Sequence, residues 1–364
     1  MKIACIAGAR PNFMKIAPIL EAMKPYPNLD SLLVHTGQHY DYQMSGVFFK
    51  ELEIPEPDIH LGVGSGSHAV QTAKIMMAFE ETALEHQPDL VLVVGDVNST
   101  LACALVAAKL HIPVAHVEAG IRSFDMTMPE EVNRVVTDDI SDYLLPPSNF
   151  GRENLIKEGI SEDKIFVVGD TMIDTLFKFR ERAEQTSILT ELGLKAKSYA
   201  LMTLHRPANV DIKENLIAIL DAIERIQEQI QIVFAIHPRT KSNIQTFGLS
   251  NRVAAMSNLK IIDPVGYFAF LNLMINAHFV LTDSGGMQEE TTVLGIPCLT
   301  MRDTTERPET IEEGTNTLVA NDTELIVEES LKILNGNGKR GTYPELWDGH
   351  AAERIVEVLH QQLV

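Results

Sequence analysis

Short apolar runs of strand length alternate along this chain with longer segments whose apolar residues recur every three or four positions. In the first half, Lys2–Ala7, Ser31–His35, Leu90–Gly95, Val114–Glu118 and Tyr143–Leu145 predict strands. Phe13–Met23, Ala69–His86 and Leu101–Leu110 predict helices between them. The second half repeats the rhythm, with strands at Tyr199–Thr203, Ile232–Ala235, Lys260–Ile262, Phe279–Leu281 and Cys298–Thr300. Its helices are Lys213–Gln229, Phe268–Ala277 and Thr323–Asn335, and a last one runs from Ala351 to Leu363. This is the βαβ pattern of a parallel, doubly wound sheet, met twice. The fold class it predicts is α/β, two Rossmann-like domains facing a cleft, 1–169 and 170–346, divided near Val168-Gly169-Asp170-Thr171. Ligands of such sheets sit at the C-terminal ends of the strands, so the turns there are the places to inspect.

Composition narrows the classes. At 364 residues and 45% apolar content, the chain can build two ordinary cores. Its 50 acidic and 30 basic residues give a net charge of −20, a field that repels nucleic acid and anionic membrane. Cys5, Cys103 and Cys298 each sit in an apolar run without metal or redox spacing, as small buried side chains in a reducing cytosol do. The first apolar run is too short for a signal peptide, and no run reaches the length of a membrane span. A cytoplasmic protein is expected.

The most telling turn is Thr282-Asp283-Ser284-Gly285-Gly286-Met287-Gln288-Glu289-Glu290, between a strand and a helix. Free N–H groups at a helix start attract an anion, and glycines let a phosphate come close. One of the two glutamates could accept hydrogen bonds from ribose hydroxyls, so a nucleotide diphosphate fits. A tight turn followed by first-turn acids is the plainer reading.

Other strand ends carry chemistry too. Gly8-Ala9-Arg10-Pro11-Asn12-Phe13-Met14-Lys15 brings Arg10 and Lys15 to a βα turn that lacks the G-x-G-x-x-G dinucleotide fingerprint, which argues against an oxidoreductase. Asp96 follows one strand and Glu118 another, and Glu130 and Glu131 open a helix at Pro129. Each has a structural explanation, as a cap or a first-turn acid. Together they could supply a base and an acid with separated pKa values. His205-Arg206 and His237-Pro238-Arg239 close successive strands in the second half, as an anion or acid–base site would.

At this point the chain resembles the non-hydrolysing UDP-N-acetylglucosamine 2-epimerase family. The matching segments are Gly8-Ala9-Arg10-Pro11, Gly95-Asp96, His116-Val117-Glu118-Ala119-Gly120, Pro129-Glu130-Glu131, Leu204-His205-Arg206, His237-Pro238-Arg239, Asp283 to Glu290 and Arg302 to Glu309. They occur in family order over nearly the whole chain. The resemblance implies a glycosyltransferase B-like fold in which the C-terminal helix, 347–364, returns to the first domain. It implies a homodimer that interconverts UDP-GlcNAc and UDP-ManNAc with no redox cofactor and no metal, supplying ManNAc-type precursors for cell-surface polysaccharide. The reaction expels UDP from C1 and removes the C2 proton, giving 2-acetamidoglucal, to which UDP adds back. By resemblance, Asp96, Glu118 and Glu130 are the acid–base residues and His205 serves the departing diphosphate. Arg10, Lys15, Arg206, His237, Arg239, Ser284, Gly285, Gly286 and Arg307 hold UDP or its phosphates and the sugar, Glu290 the ribose, and Phe270 lies beside uracil.

The chain departs from many bacterial members in several places. Thr36-Gly37-Gln38-His39-Tyr40-Asp41-Tyr42 replaces a run with His-Arg-Glu-Met after Thr-Gly-Gln, and Gly64-Ser65-Gly66-Ser67-His68 replaces an Arg-Pro-Gly segment. In those relatives both segments help form a second, activating UDP-GlcNAc site. Ala208 stands where many relatives carry an acid. The short loop Arg122–Met128 also occurs in relatives acting on UDP-2,3-diacetamido-glucuronic acid. A 2-epimerase of that modified sugar, a hydrolysing epimerase and a glycosyltransferase of the same fold are the alternatives.

Overall fold

The computed structural model describes residues 1–37 and 52–363. The chain forms two compact units, Met1–Lys178 with Glu345–Val364, and Phe179–Pro344. The segment Gln38–Tyr42, where the sequence departs from bacterial relatives, lies outside the described residues, as does the side chain of Arg10.

The first unit runs β1 (Lys2–Ala7), α1 (Arg10–Met23), β2 (Asp30–His35), β3 (Ile59–His60), α2 (His68–His86), β4 (Leu90–Val94), α3 (Asn98–Lys109), β5 (Val114–Val117), α4 (Pro129–Ile140), β6 (Tyr143–Leu145), α5 (Asn149–Lys157) and α6 (Thr171–Glu184). Its six strands are parallel in the order β3-β2-β1-β4-β5-β6, with Lys2 opposite Asp30 and Ile3 opposite Leu90. All five residues of β4 are buried, as a strand covered on both faces requires. Ala4, Ile6, Val91 and Val93 pack against Ile75 and Phe79 of α2 and Ala102 and Val106 of α3.

The C-terminal helix belongs to this unit for identifiable reasons. Trp347 is fully buried, and its Nε1 donates to the Pro147 carbonyl at 3.0 Å. Ala351 and Ala352 open the helix and donate their N–H groups to the Asp174 carboxylate at 3.1 and 2.7 Å. Asp174 thereby caps a helix far away in sequence, while the apolar face of that helix, Ile355, Val356 and Leu359, is buried and the helix packs on α1.

The second unit runs α7 (Ile188–Leu192), β7 (Tyr199–Met202), α8 (Pro207–Val210), α9 (Lys213–Ile226), β8 (Gln231–Ala235), α10 (Pro238–Thr246), α11 (Ser250–Ala255), β9 (Leu259–Ile262), α12 (Tyr267–Ile275), β10 (Phe279–Thr282), α13 (Gly285–Leu294), β11 (Cys298–Thr300), α14 (Pro308–Glu312), β12 (Asn316–Leu318) and α15 (Thr323–Leu334). Its strands are also parallel, in the order β12-β11-β10-β7-β8-β9. Counted from its own first strand, this is the order of the first unit. The strand order reverses at β1/β4 and at β7/β10, where open α/β sheets bind their ligands.

The ten expected strands form, and two short edge strands, β3 and β12, join them. The three cysteines are free and buried, and burial raises all three thiols. Among the described residues no helix is long and apolar enough to cross a membrane.

Candidate functional site

In the first unit the turns after β1, β4 and β5 are tied together by side chains. Asn12, buried at the start of α1, accepts from the N–H groups of Gly8 (3.2 Å) and Ala9 (2.8 Å) and donates to the Val94 carbonyl at 3.0 Å. The first turn is thereby fastened to the end of β4. One turn further along α1, Lys15 places its ammonium 2.5 Å from Glu118 Oε2. A Cβ on Gly95 would lie 3.3 Å from the same oxygen and 3.6 Å from Lys15 Nζ, so glycine lets the β4 turn approach the carboxylate. Glu118 itself is buried, with φ 70°, a left-handed conformation that a non-glycine residue rarely keeps.

Asp96 follows Gly95 and is about one-third exposed. Arg134 of α4 grips its Oδ2 through Nε at 3.0 Å and Nη2 at 2.5 Å. Adjacent glutamates at the start of α4 have different surroundings. Glu131 is buried, accepts the N–H groups of Ser123 and Phe124, and pairs with Arg134 at 2.6 Å. Glu130 is half-buried. Glu131 therefore shapes the loop, whereas Glu130 is less buried than its neighbour. The segment Gly64–Ser67 leads into α2 at His68, and the Ser67 hydroxyl caps that helix by accepting from the Val70 N–H.

In the second unit, Asp283 at the end of β10 organises the turn after β7. This buried carboxylate accepts from the N–H groups of His205 (3.0 Å) and Arg206 (2.7 Å), and His205 Nδ1 lies 2.9 Å from its Oδ1. Burial works against the charge of Asp283, but the His205 hydrogen bond and charge and the two N–H groups outweigh it and hold the carboxyl below its ordinary range. With Nδ1 on a carboxylate, His205 offers Nε2 to a ligand. His237 packs beside it, ring centroids 5.7 Å apart, and its Nδ1 accepts from the Arg239 N–H to cap α10. Burial, and then the charges of His205 and Arg239, lower the His237 pKa. Arg239 is half-exposed and its guanidinium pairs with Asp211.

Next to this turn, Ser284 precedes α13, and Gly285 and Gly286 begin it, so the first N–H groups of the helix have no partner within it. A Cβ on Gly285 would lie 3.5 Å from Arg307 Nη1. Arg307 thus lies over the positive end of the helix, held through Nε by the buried Glu289. Thr305 steadies the loop, its hydroxyl donating to Gln288 Oε1 at 2.6 Å and accepting the Arg307 N–H at 3.1 Å. Two N–H donors and a guanidinium around a glycine pair suit a diphosphate. One residue beyond Glu289, Glu290 is buried and accepts from the Tyr267 hydroxyl at 3.0 Å. Burial pushes its carboxyl up to about 7, opposed by the Tyr267 hydrogen bond and aided by the charge of Glu289. Phe270 is half-buried on α12, the helix that carries Tyr267.

Sequence reading left several of these residues unassigned. Asp283 and Glu289 stand inside the telling turn, where a buried acid after an apolar strand was a usable signal. Asn12, Arg134 and Tyr267 carried none, because their roles come from contacts across the fold. Lys15, expected at a phosphate, has its ammonium on Glu118.

A family model described as UDP-N-acetylglucosamine 2-epimerase matches residues 21–360. A UDP-N-acetylglucosamine 2-epimerase of Methanocaldococcus jannaschii is 46% identical over 364 residues, covering 99% of both chains. A UDP-2,3-diacetamido-2,3-dideoxy-D-glucuronate 2-epimerase of Pseudomonas aeruginosa is 42% identical over 99% of each chain. The crystal structure of the M. jannaschii UDP-GlcNAc 2-epimerase in complex with UDP-GlcNAc and UDP superposes with a TM-score of 0.91 at 46% identity, covering 99% of this chain and 100% of that one. The two-domain α/β fold is of the glycosyltransferase B-like class.

Proposed function

The chain belongs to the UDP-N-acetylglucosamine 2-epimerase family, and on that premise we propose that it interconverts UDP-GlcNAc and UDP-ManNAc as a cytoplasmic homodimer. The observation that carries the reading is the cradle in the second unit, where Arg307 lies over Gly285 at the start of α13. It suits a diphosphate that must depart from C1 and return, since fixed donors stabilise charge that develops on the leaving oxygens. His205 stabilises or protonates that diphosphate through Nε2. Glu290 takes the ribose hydroxyls and Phe270 lies beside uracil.

In the first unit Asp96, Glu118 and Glu130 transfer the proton at C2. Electrons of the C2–H bond become the C1–C2 double bond as the C1–O bond breaks toward UDP. Return of UDP to C1 with protonation of C2 on the other face completes the inversion. Glu118, held 2.5 Å from the Lys15 ammonium, suits the base. Arg10 and Lys15 add positive charge at the same rim, Arg206 and Arg239 do so beside His205, and His237, whose charge burial disfavours, offers its Nε2–H there.

Identity to the P. aeruginosa relative favours one second reading, the same inversion on UDP-2,3-diacetamido-glucuronic acid. Proton NMR of purified protein with each sugar in turn separates them. Signals of UDP-ManNAc growing from UDP-GlcNAc support the first reading. Turnover of the diacetamido-uronate alone transfers the reaction to that sugar. Release of free sugar with UDP refutes the non-hydrolysing reaction.

A further inference from the structure

A buried ionic group lies between the turns that carry Asp96 and Glu118. His116 of β5 is fully buried; its Nδ1 lies 2.6 Å from Asp138 Oδ1 and its Nε2 2.8 Å from the Gly95 carbonyl. Asp138 of α4, also buried, accepts the Gly120 N–H at 3.0 Å and pairs with Arg122 at 2.7 Å through Oδ2. Arg122 is in turn gripped by Glu158, at 2.8 and 2.6 Å.

One carboxylate therefore reaches residues on both sides of Glu118, two before it, and two and four after it. Through His116 it also reaches the carbonyl of the residue before Asp96. Burial disfavours the charge of Asp138, yet the charge and hydrogen bond of His116, the charge of Arg122 and the Gly120 N–H outweigh it and lower the carboxyl. Such a group is costly to bury and easily replaced by apolar packing if stability alone were served. What it does here is geometric. The turn from Glu118 to Gly120 has two left-handed residues, Glu118 at φ 70° and Gly120 at φ 77°. A Cβ on Gly120 would collide with the Gly151 carbonyl, so the turn is pressed against α5. The Asp138 hydrogen bond to Gly120 closes that turn and keeps Glu118 in its strained conformation, with its carboxylate toward Lys15.

We propose that Asp138, acting with His116, is a positioning residue that sets the placement of both Asp96 and Glu118. The inference rests on the assignment of these two carboxylates to proton transfer under the proposed function. Asp138 itself touches no substrate.

Asp138→Asn keeps the side-chain shape and removes the charge that pairs with His116 and Arg122. The expected result is a kcat lower by about 100-fold, with KM and UDP affinity within about twofold of the parent. A folded Asp138→Asn enzyme with unchanged kcat overturns the proposal, as does an equal loss in UDP affinity. Should that variant not fold, His116→Gln, which leaves the Asp138–Arg122 pair in place, is read by the same criteria. A crystal structure of either variant gives a readout that needs no turnover. Glu118 leaving the left-handed region supports the clamp; an unmoved turn refutes it. A parent protein without epimerase activity counts against the proposed function instead, and the crystal structure still decides the clamp.

Discussion

Arg307 lies over Gly285, close enough that a Cβ on the glycine would sit 3.5 Å from Nη1. The guanidinium adds to the helix-end field of α13, and its other partner is the buried Glu289. Arg307→Ala is expected to weaken UDP binding about 100-fold and to lower thermal stability, because a buried ion pair with Glu289 is broken. Isothermal titration with UDP and a melting curve measure the two effects. Gly285→Ala should weaken UDP binding without the loss of stability that follows from breaking a buried ion pair.

Glu290 gives a pH dependence of definite sign. Its folded-state carboxyl is raised to about 7 from 4.5, with burial the main cause. The stability it contributes is complete below about 4.5 and is lost as the pH rises to about 7, because the folded chain there holds a proton the unfolded chain has released. Glu290→Gln, which can still accept from Tyr267, should therefore raise the melting temperature at pH 8 and leave it unchanged at pH 4. A shift of this size corresponds to about 3 kcal/mol. In the parent, UDP affinity should rise with pH through 7, as the ionised carboxylate accepts ribose hydroxyls more strongly. Equal melting temperatures for parent and variant at pH 8 refute the buried-acid argument.

The pairing of Lys15 with Glu118 at 2.5 Å makes a kinetic prediction. Glu118→Gln should lower kcat by roughly 100- to 10,000-fold, the usual contribution of a positioned proton-transfer group. UDP affinity should stay within about twofold, since the nucleotide contacts are assigned elsewhere. Steady-state rates and UDP titration check both. A variant that loses UDP binding and turnover together would make Glu118 a binding residue.

Asp174 tests what fixes the C-terminal helix. It accepts from Ala351 and Ala352, and its replacement by Ala should cost about 1 kcal/mol, as the loss of a helix cap does. The melting temperature of the first unit should fall by about 2–4 °C. Hydrogen exchange should quicken first in residues 351–363.

Much of this architecture was legible in the sequence, for local reasons. Runs such as Leu90–Val94 are apolar throughout because their strands are covered on both faces, and the motifs at their ends mark the turns. The edge strand Asn316–Leu318 escaped notice because its pairing is polar. Asn316 accepts the Thr300 hydroxyl at 2.7 Å and donates to Gln288 at 3.0 Å, in the interior where an apolar run would be expected. The partners that Glu289 and Glu290 take within the fold were hidden as well. Adjacent in sequence, they point about 100° apart on a helix, so one meets Arg307 and the other Tyr267. Asp138 and His116, 22 residues apart, meet only because α4 packs beside β5.

Proton NMR of the protein with UDP-GlcNAc in D2O, with no other ligand added, tests the central claim most directly. Removal and return of the C2 proton predicts UDP-ManNAc signals that grow with deuterium at C2, and UDP-GlcNAc that gains deuterium as equilibrium is reached. UDP-ManNAc formed with its C2 proton fully retained would contradict elimination and re-addition through exchangeable carboxyl groups, and no UDP-ManNAc at all would contradict the activity itself.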